Sequence, residues 1–269
     1  MPTETVRMQI YLKSAEEIAI MREAGRIVAR AHAAMKAAIR PGISTWELDQ
    51  IAEAVIRDAG ATPAFKGYPK HEAPNFPATI TASINHELVH GIPLKTRLLA
   101  DGDIISLDTG CHFQGFVGDS AWTYAVGQIN AGAARLLAVT QEALWIGIRA
   151  SVVGGSTRDV AVAIQRYVEA QGYSVAREYT GHGVGRQMHE DPPVPNYWIK
   201  PKRGKASFES VALRAGMTYA LEPMVIAGRP DTQELADKWT VVSKDKSLCA
   251  HFEHTIAITD GAPLVLTLL

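Results

Sequence analysis

Asp108 and Asp119 stand near the ends of two β-rich runs, 103–109 and 116–126, around a short polar loop holding Gly110, Gln114 and Gly115. Paired as an antiparallel hairpin centred near Phe113 and Gln114, the runs place the two aspartates roughly opposite each other on one face. Opposed side chains have Cβ atoms about 5 Å apart, and like charges there repel. Two carboxylates at that distance share a proton or sit on a cation. The bland alternative is a pair of unrelated aspartates in solvent. A second stretch, TGHGVGRQMHEDP at 180–192, carries two imidazoles, His182 and His189. The glycines beside His182 allow tight turns and close backbone approach. Read alone, this stretch is equally an ordinary glycine-rich turn.

The elements that must position these residues are legible around them. Ser14 and Glu17 make a capping box, followed by Ile18, Met21, Ala24, Val28, Ala31 and Met35 at helical spacing until Pro41-Gly42. Ser44 or Thr45 caps a second helix that buries Leu48, Ile51, Ala52, Val55 and Ile56 and stops at Gly60. The stretch 62–77 is rich in Pro, Gly and aromatics and reads as a loop, and 78–92 as a strand and its turn. After the hairpin the pattern restarts: a helix over 131–150, a Gly154-Gly155 break, and a Ser156-Thr157 cap. The helix that follows buries Val160, Ala163, Ile164, Tyr167 and Val168 and stops at Gly172.

The restart is a repeat. PGISTWELDQIAEAVIRDAG (41–60) lies over VGGSTRDVAVAIQRYVEAQG (153–172) at an offset of 112. LADGDIISLD (99–108) lies over LRAGMTYALE (213–222) at 114, and DSAWTYAVG (119–127) over EHTIAITDG (253–261) at 134. Asp108 therefore maps onto Glu222, and Asp119 onto Glu253. The reading is a duplicated α/β unit, two helices and an antiparallel sheet in each half (about 14–127 and 131–261), with a pseudo-two-fold axis that brings four carboxylates together. Four such groups converging without a cation would cost more than a domain's marginal stability of about 5–15 kcal/mol. A pair of divalent cations about 3.5–4 Å apart, bridged by carboxylates and water, is the better solution.

The totals agree with a globular protein: 47% hydrophobic, 20% charged, formal net charge −1. Bulk charge predicts no binding to DNA or to an anionic membrane. No apolar run approaches the roughly 20 residues that span a bilayer, and no signal peptide is evident. Cys111 and Cys249 read as free thiols of a reducing cytosol, so the expected location is cytoplasmic.

NHELVHGIP (85–93), the Asp108/Asp119 pair, GHGVGRQMHEDP (181–192), ALEPMV (220–225) and FEHTIAIT (252–259) together resemble the type I methionine aminopeptidases of bacteria, over nearly the whole chain. The resemblance implies an α+β "pita-bread" fold, one catalytic domain, and removal of the initiator methionine from nascent polypeptides when the second residue is small. It implies two divalent ions (Co, Mn, Fe or Zn) on Asp108, Asp119, His182, Glu222 and Glu253. Asp119 and Glu253 would bridge them, Asp108 would complete one site, and His182 with Glu222 the other. It further implies that Glu222 accepts a proton from an attacking water, that His189 binds the developing oxyanion, and that His90 holds the scissile nitrogen. The methionine pocket would be lined by Phe65, Tyr68, Phe76, Thr81, His90, His189, Met188 and Trp239. This chain departs from the family's common pattern at Met188 (usually Phe), at Thr81 (often Cys), and in a longer loop over 70–77. KPKRGKASF (200–208) reads first as a solvated basic loop and second as a transient ribosome contact. A monomer is the default. Xaa-Pro aminopeptidases or prolidases are the nearby alternative, and a non-catalytic binding protein of the same fold is the distant one.

Overall fold

The computed structural model describes residues 8–199 and 208–269. Of the basic loop over 200–208, all but Phe208 lies outside the described residues. Four helices form where the caps and periodicity require. Helix α1 (Ala15–Ala38) starts at the Ser14/Glu17 capping box and turns Met21, Ala24, Val28, Ala31 and Met35 inward. Helix α2 (Thr45–Asp58) is capped by Ser44, whose hydroxyl takes Glu47 N–H while the Glu47 carboxylate takes Ser44 N–H. Asn130 caps α3 (Ala131–Ala150), and Ser156 caps α4 (Thr157–Ala170).

Both ends of α4 lie 112 residues beyond those of α2, so the repeat holds to the residue. Its tertiary ties repeat too. Thr45 N–H donates to Arg97 O, and Thr157 N–H to Val211 O, each at 2.9 Å. Leu99 N–H donates to Ile43 O, and Leu213 N–H to Gly155 O, again each at 2.9 Å. Each half packs its helix pair on its own strands over an apolar core, and the second-half core also takes in Ile104 of the first half.

The predicted hairpin is present as strands Ile104–Phe113 and Phe116–Ala125, but its register differs from expectation. Gln114 (φ 49°) and Gly115 (φ 82°) form a two-residue turn between Phe113 and Phe116. That moves the centre of pairing by one residue, so Asp108 faces Ala121 and Asp119 faces Gly110. The two aspartates are diagonal neighbours on one face, not direct partners. The 62–77 loop contributes one short strand, Thr62–Pro63, and the 78–92 stretch contributes two, Ile80–Ile84 and Glu87–Val89.

In the second half, His254–Ala257 pairs with Thr218–Leu221, which pairs in turn with Gly181–Gly183. Between Leu221 and His254 the chain makes four short strands that the sequence reading did not separate: Met224–Ile226, Thr232–Glu234, Val241–Ser243 and Cys249–His251. The halves meet where Phe116–Ala125 runs beside 251–255. There Glu253 N–H donates to Ala121 O (2.8 Å), Ser120 Oγ to Glu253 O (2.7 Å), and Thr255 Oγ1 to Asp119 O (2.8 Å). Helix α1 closes on this seam from behind. A Cβ on Gly118 would lie 2.6 Å from Gly25 N, so only glycine permits the contact. No helix among the described residues is long and apolar enough to cross a membrane.

Candidate metal centre

Each expected metal donor comes from a strand or strand end that faces the seam. Asp108 and Asp119 come from the first-half hairpin. Glu222 follows Thr218–Leu221, and Glu253 precedes His254–Ala257. Asn196 Nδ2 holds the Glu222 carbonyl at 3.0 Å. His182 sits mid-strand in Gly181–Gly183, opposite Ala220 and Pro193. Its flanking glycines serve backbone approach rather than turning. A Cβ on Gly181 would stand 2.4 Å from Ala220 O, and one on Gly183 2.3 Å from Asp191 O.

The donors converge. Ligand atoms of Asp119, His182 and Glu253 lie within 4.8 Å of one another. His182 Nε2 is 3.7 Å from Asp119 Oδ2 and 3.6 Å from Glu222 Oε1. All four carboxylate residues are buried, and Asp108 Oδ1, Asp119 Oδ1 and Glu253 Oε1 have no hydrogen-bond partner among the described residues. Orphaned buried carboxylate oxygens are costly unless something else satisfies them. Their inward aim, with an imidazole among them, fits divalent cations.

The electrostatics point the same way. Burial, with the neighbouring carboxylates adding to it, pushes Asp108, Glu222 and Glu253 well above the usual carboxylate range. Burial lifts Asp119 to about 7. Burial also depresses His182 to about 3, so its nearness to carboxylates is not an ion pair: the ring is neutral, the form that binds metals.

Above the cluster lies a cavity of about 200 Å³, and it brings every predicted site residue together. Asp108, Asp119, His182, Glu222 and Glu253 form one end. Phe65, Tyr68, Phe76, Thr81, His90, Met188, His189 and Trp239 line the rest. Thr81 is placed by pairing directly opposite Asp108. Met188 covers Gly110, where a Cβ would lie 2.7 Å from its Cε. His189 stands at the exposed mouth, its Nδ1 2.7 Å from the Tyr68 hydroxyl and its ring 4.1 Å from that of His182. His90, held at φ 60°, meets Trp239 edge-on at 6.3 Å, and burial lowers its pKa to about 4.

The long loop is tied down on the same side. Phe76 packs against Trp239 at 5.0 Å, and Trp239 Nε1 donates to Pro74 O at 2.9 Å. The Lys70 ammonium lies 5.1 Å from the Trp239 ring, bonds Lys238 O at 2.5 Å, and pairs with Glu234.

Five lining residues are not among the predicted site residues: Val89, Tyr179, Thr180, Met224 and His251. His251 is the consequential one. It is buried, its Nε2 has no hydrogen-bond partner, and it lies 3.6 Å from Glu222 Oε2 and 4.0 Å from Glu253 Oε2. Its position two residues before Glu253 was the available signal.

The model of metallopeptidase family M24 matches residues 19–260. Methionine aminopeptidase 1 of Bacillus subtilis is 51% identical over 258 residues, covering 96% of this chain and 99% of the relative. Methionine aminopeptidase 1 of Mycobacterium tuberculosis is 45% identical, covering 97% and 96%. The solved methionine aminopeptidase of Thermotoga maritima superposes with a TM-score of 0.89 at 40% identity, over 97% of this chain and all of that one. The prolidase of Pyrococcus furiosus shares the fold, with a TM-score of 0.75 at 22% identity over 96% of this chain and 65% of that one.

Proposed function

Because the chain belongs to metallopeptidase family M24, and within it to the methionine aminopeptidases, we propose that Asp108, Asp119, His182, Glu222 and Glu253 hold two divalent cations beneath a pocket for an N-terminal methionine. The chain is a metallo-aminopeptidase of the pita-bread fold. The observation that carries the dinuclear reading is four buried carboxylates at one end of one cavity, three of them with orphaned oxygens, with Asp119, Glu222 and Glu253 gathered about the His182 imidazole. Two cations, when bound, acidify a water and polarise the peptide carbonyl. The donor set, four carboxylates and one imidazole, favours Mn, Fe or Co and leaves Zn open.

The protein's own groups would do the rest. Asp119 and Glu253 would be shared between the two ions, Asp108 would help hold one, and His182 with Glu222 the other. Glu222 takes the proton from the attacking water. The Tyr68 hydroxyl, donating to His189 Nδ1, leaves a proton on Nε2 to meet the developing oxyanion. His90 holds the scissile nitrogen. Phe65, Phe76, Met188 and Trp239 take the methionine side chain, and a flexible thioether at Met188 suits that ligand. The halves over 14–127 and 131–261 act as a single catalytic domain, a cytoplasmic monomer working on nascent N-termini with a small second residue.

Hydrolysis of Met-Gly-Ser, Met-Lys-Ser and Gly-Pro peptides by chelator-stripped protein, before and after adding Mn, Fe or Co, tests this. Metal-dependent methionine release from the first peptide alone is expected. Cleavage of Gly-Pro instead would move the chain to the proline-specific relatives, and no turnover with two metals bound would favour a binding role.

A further inference from the structure

His251 is fixed from behind. Thr123 Oγ1 accepts its N–H and donates to its carbonyl, each at 2.8 Å, and strand pairing sets it opposite Met224. The imidazole is thereby buried at 2% exposure with Nε2 aimed at the Glu222 carboxylate and no hydrogen-bond partner among the described residues. Two imidazoles divide that carboxylate. His182 Nε2 stands 3.6 Å from Oε1, and His251 Nε2 stands 3.6 Å from Oε2. They are not equivalent, because His182 belongs to the group of donors that converge within 4.8 Å and His251 does not. A carboxylate that binds a metal through one oxygen is ordinarily held by a hydrogen bond at the other. A buried ring nitrogen without a partner is itself rare.

We propose that His251 is a positioning residue: it donates from Nε2 to Glu222 Oε2 and so keeps Oε1 turned toward the cation beside His182. The inference rests on Glu222 being a metal ligand. It accounts for the orphaned nitrogen and gives each oxygen of Glu222 a separate task. It also adds a fourth histidine to the cavity, one that acts through another residue and touches neither substrate nor metal.

Calorimetric titration of Mn²⁺ and of Co²⁺ into chelator-stripped protein tests it, with the visible absorption of bound Co²⁺ as a second readout. His251→Leu and His251→Met remove the donor, whereas His251→Gln retains an N–H. Loss of such an outer partner typically weakens metal affinity by about 10–100-fold, so both non-donor variants are expected to show that loss and an altered Co²⁺ spectrum. His251→Gln is expected to stay within about threefold of the unaltered protein, with its spectrum. Unchanged affinity in the non-donor variants would overturn the inference. Equal loss in Gln, Leu and Met would overturn it too, because packing rather than the donor would then be at work. Failure of the unaltered protein to bind either ion would remove the metal reading itself, and this inference with it.

Discussion

Stripping the protein of metal and then raising the pH is expected to weaken its fold. The direction is set by Asp119, whose carboxyl is lifted from an ordinary 3.8 to about 7 by burial. Below its ordinary value the group is protonated folded or unfolded, and it exacts nothing. As pH rises, the unfolded chain releases the proton while the folded chain keeps it, and stability falls until the folded group also ionises near pH 7. Stability then drops by about 1.4 kcal/mol for each pH unit over which only the folded chain holds the proton, so the loss between about pH 5 and about pH 7 is about 2 kcal/mol from Asp119 alone. Asp108, Glu222 and Glu253 are displaced in the same direction and add to it. For a chain of this size that corresponds to a fall of roughly 4–8 °C in melting temperature. A cation at about 100 times its dissociation constant would restore about 2.7 kcal/mol near neutral pH, and less at pH 5 where protons compete. Melting curves by circular dichroism, with and without Mn²⁺, read all of this. Asp119→Asn should flatten the slope. A metal-free melting temperature that holds or rises over this range, with no response to Mn²⁺ near pH 7, would refute the reasoning.

Other perturbations have defined outcomes. Glu222→Gln should lower methionine release by about 10²–10⁴-fold with the fold intact, measured on Met-Gly-Ser at saturating metal. His189→Ala should reduce kcat by about 10²–10³-fold and leave KM nearly unchanged, separable by steady-state kinetics. Gly118→Ala should destabilise by about 1–3 kcal/mol, read from the urea midpoint, because its Cβ meets the α1 backbone at 2.6 Å. Lys70→Met removes the ammonium that holds Trp239 and should raise KM about threefold at constant kcat, with Trp239 more open to acrylamide quenching.

Much of this arrangement is readable in the chain itself, and the reason is locality. Ser14 with Glu17 and Ser44 with Glu47 announce their helices within a single turn of chain. The offset of 112 between α2 and α4 is visible by sliding the sequence along itself, and the offset of 114 in the strands that follow pairs Asp108 with Glu222 without structural knowledge. The hairpin register was missed because a left-handed Gln114 is an uncommon turn residue, and one residue of error at the turn displaces every partner by two. His251 was missed because the only local mark on it is its place two residues before Glu253. Its importance comes from the pairing of Cys249–His251 with Met224–Ile226, which brings it to Glu222 from 29 residues away. The clasp of Lys70 on Trp239 is likewise a contact across more than half the chain, without periodicity to reveal it.

The seam between the halves also sets the moment at which this chain becomes able to cut. Neither half carries the whole of the proposed ligand set: the first would supply Asp108 and Asp119, and the second His182, Glu222 and Glu253. More than half of the 269 residues separate Asp108 from Glu253, and the bonds that seat Glu253 reach back to Ser120 and Ala121. During synthesis the last proposed donor is therefore translated long after the first. On the proposed ligand set a partly made or partly unfolded copy would lack donors, so hydrolytic power would be conferred by closure of the two halves and withdrawn whenever they part.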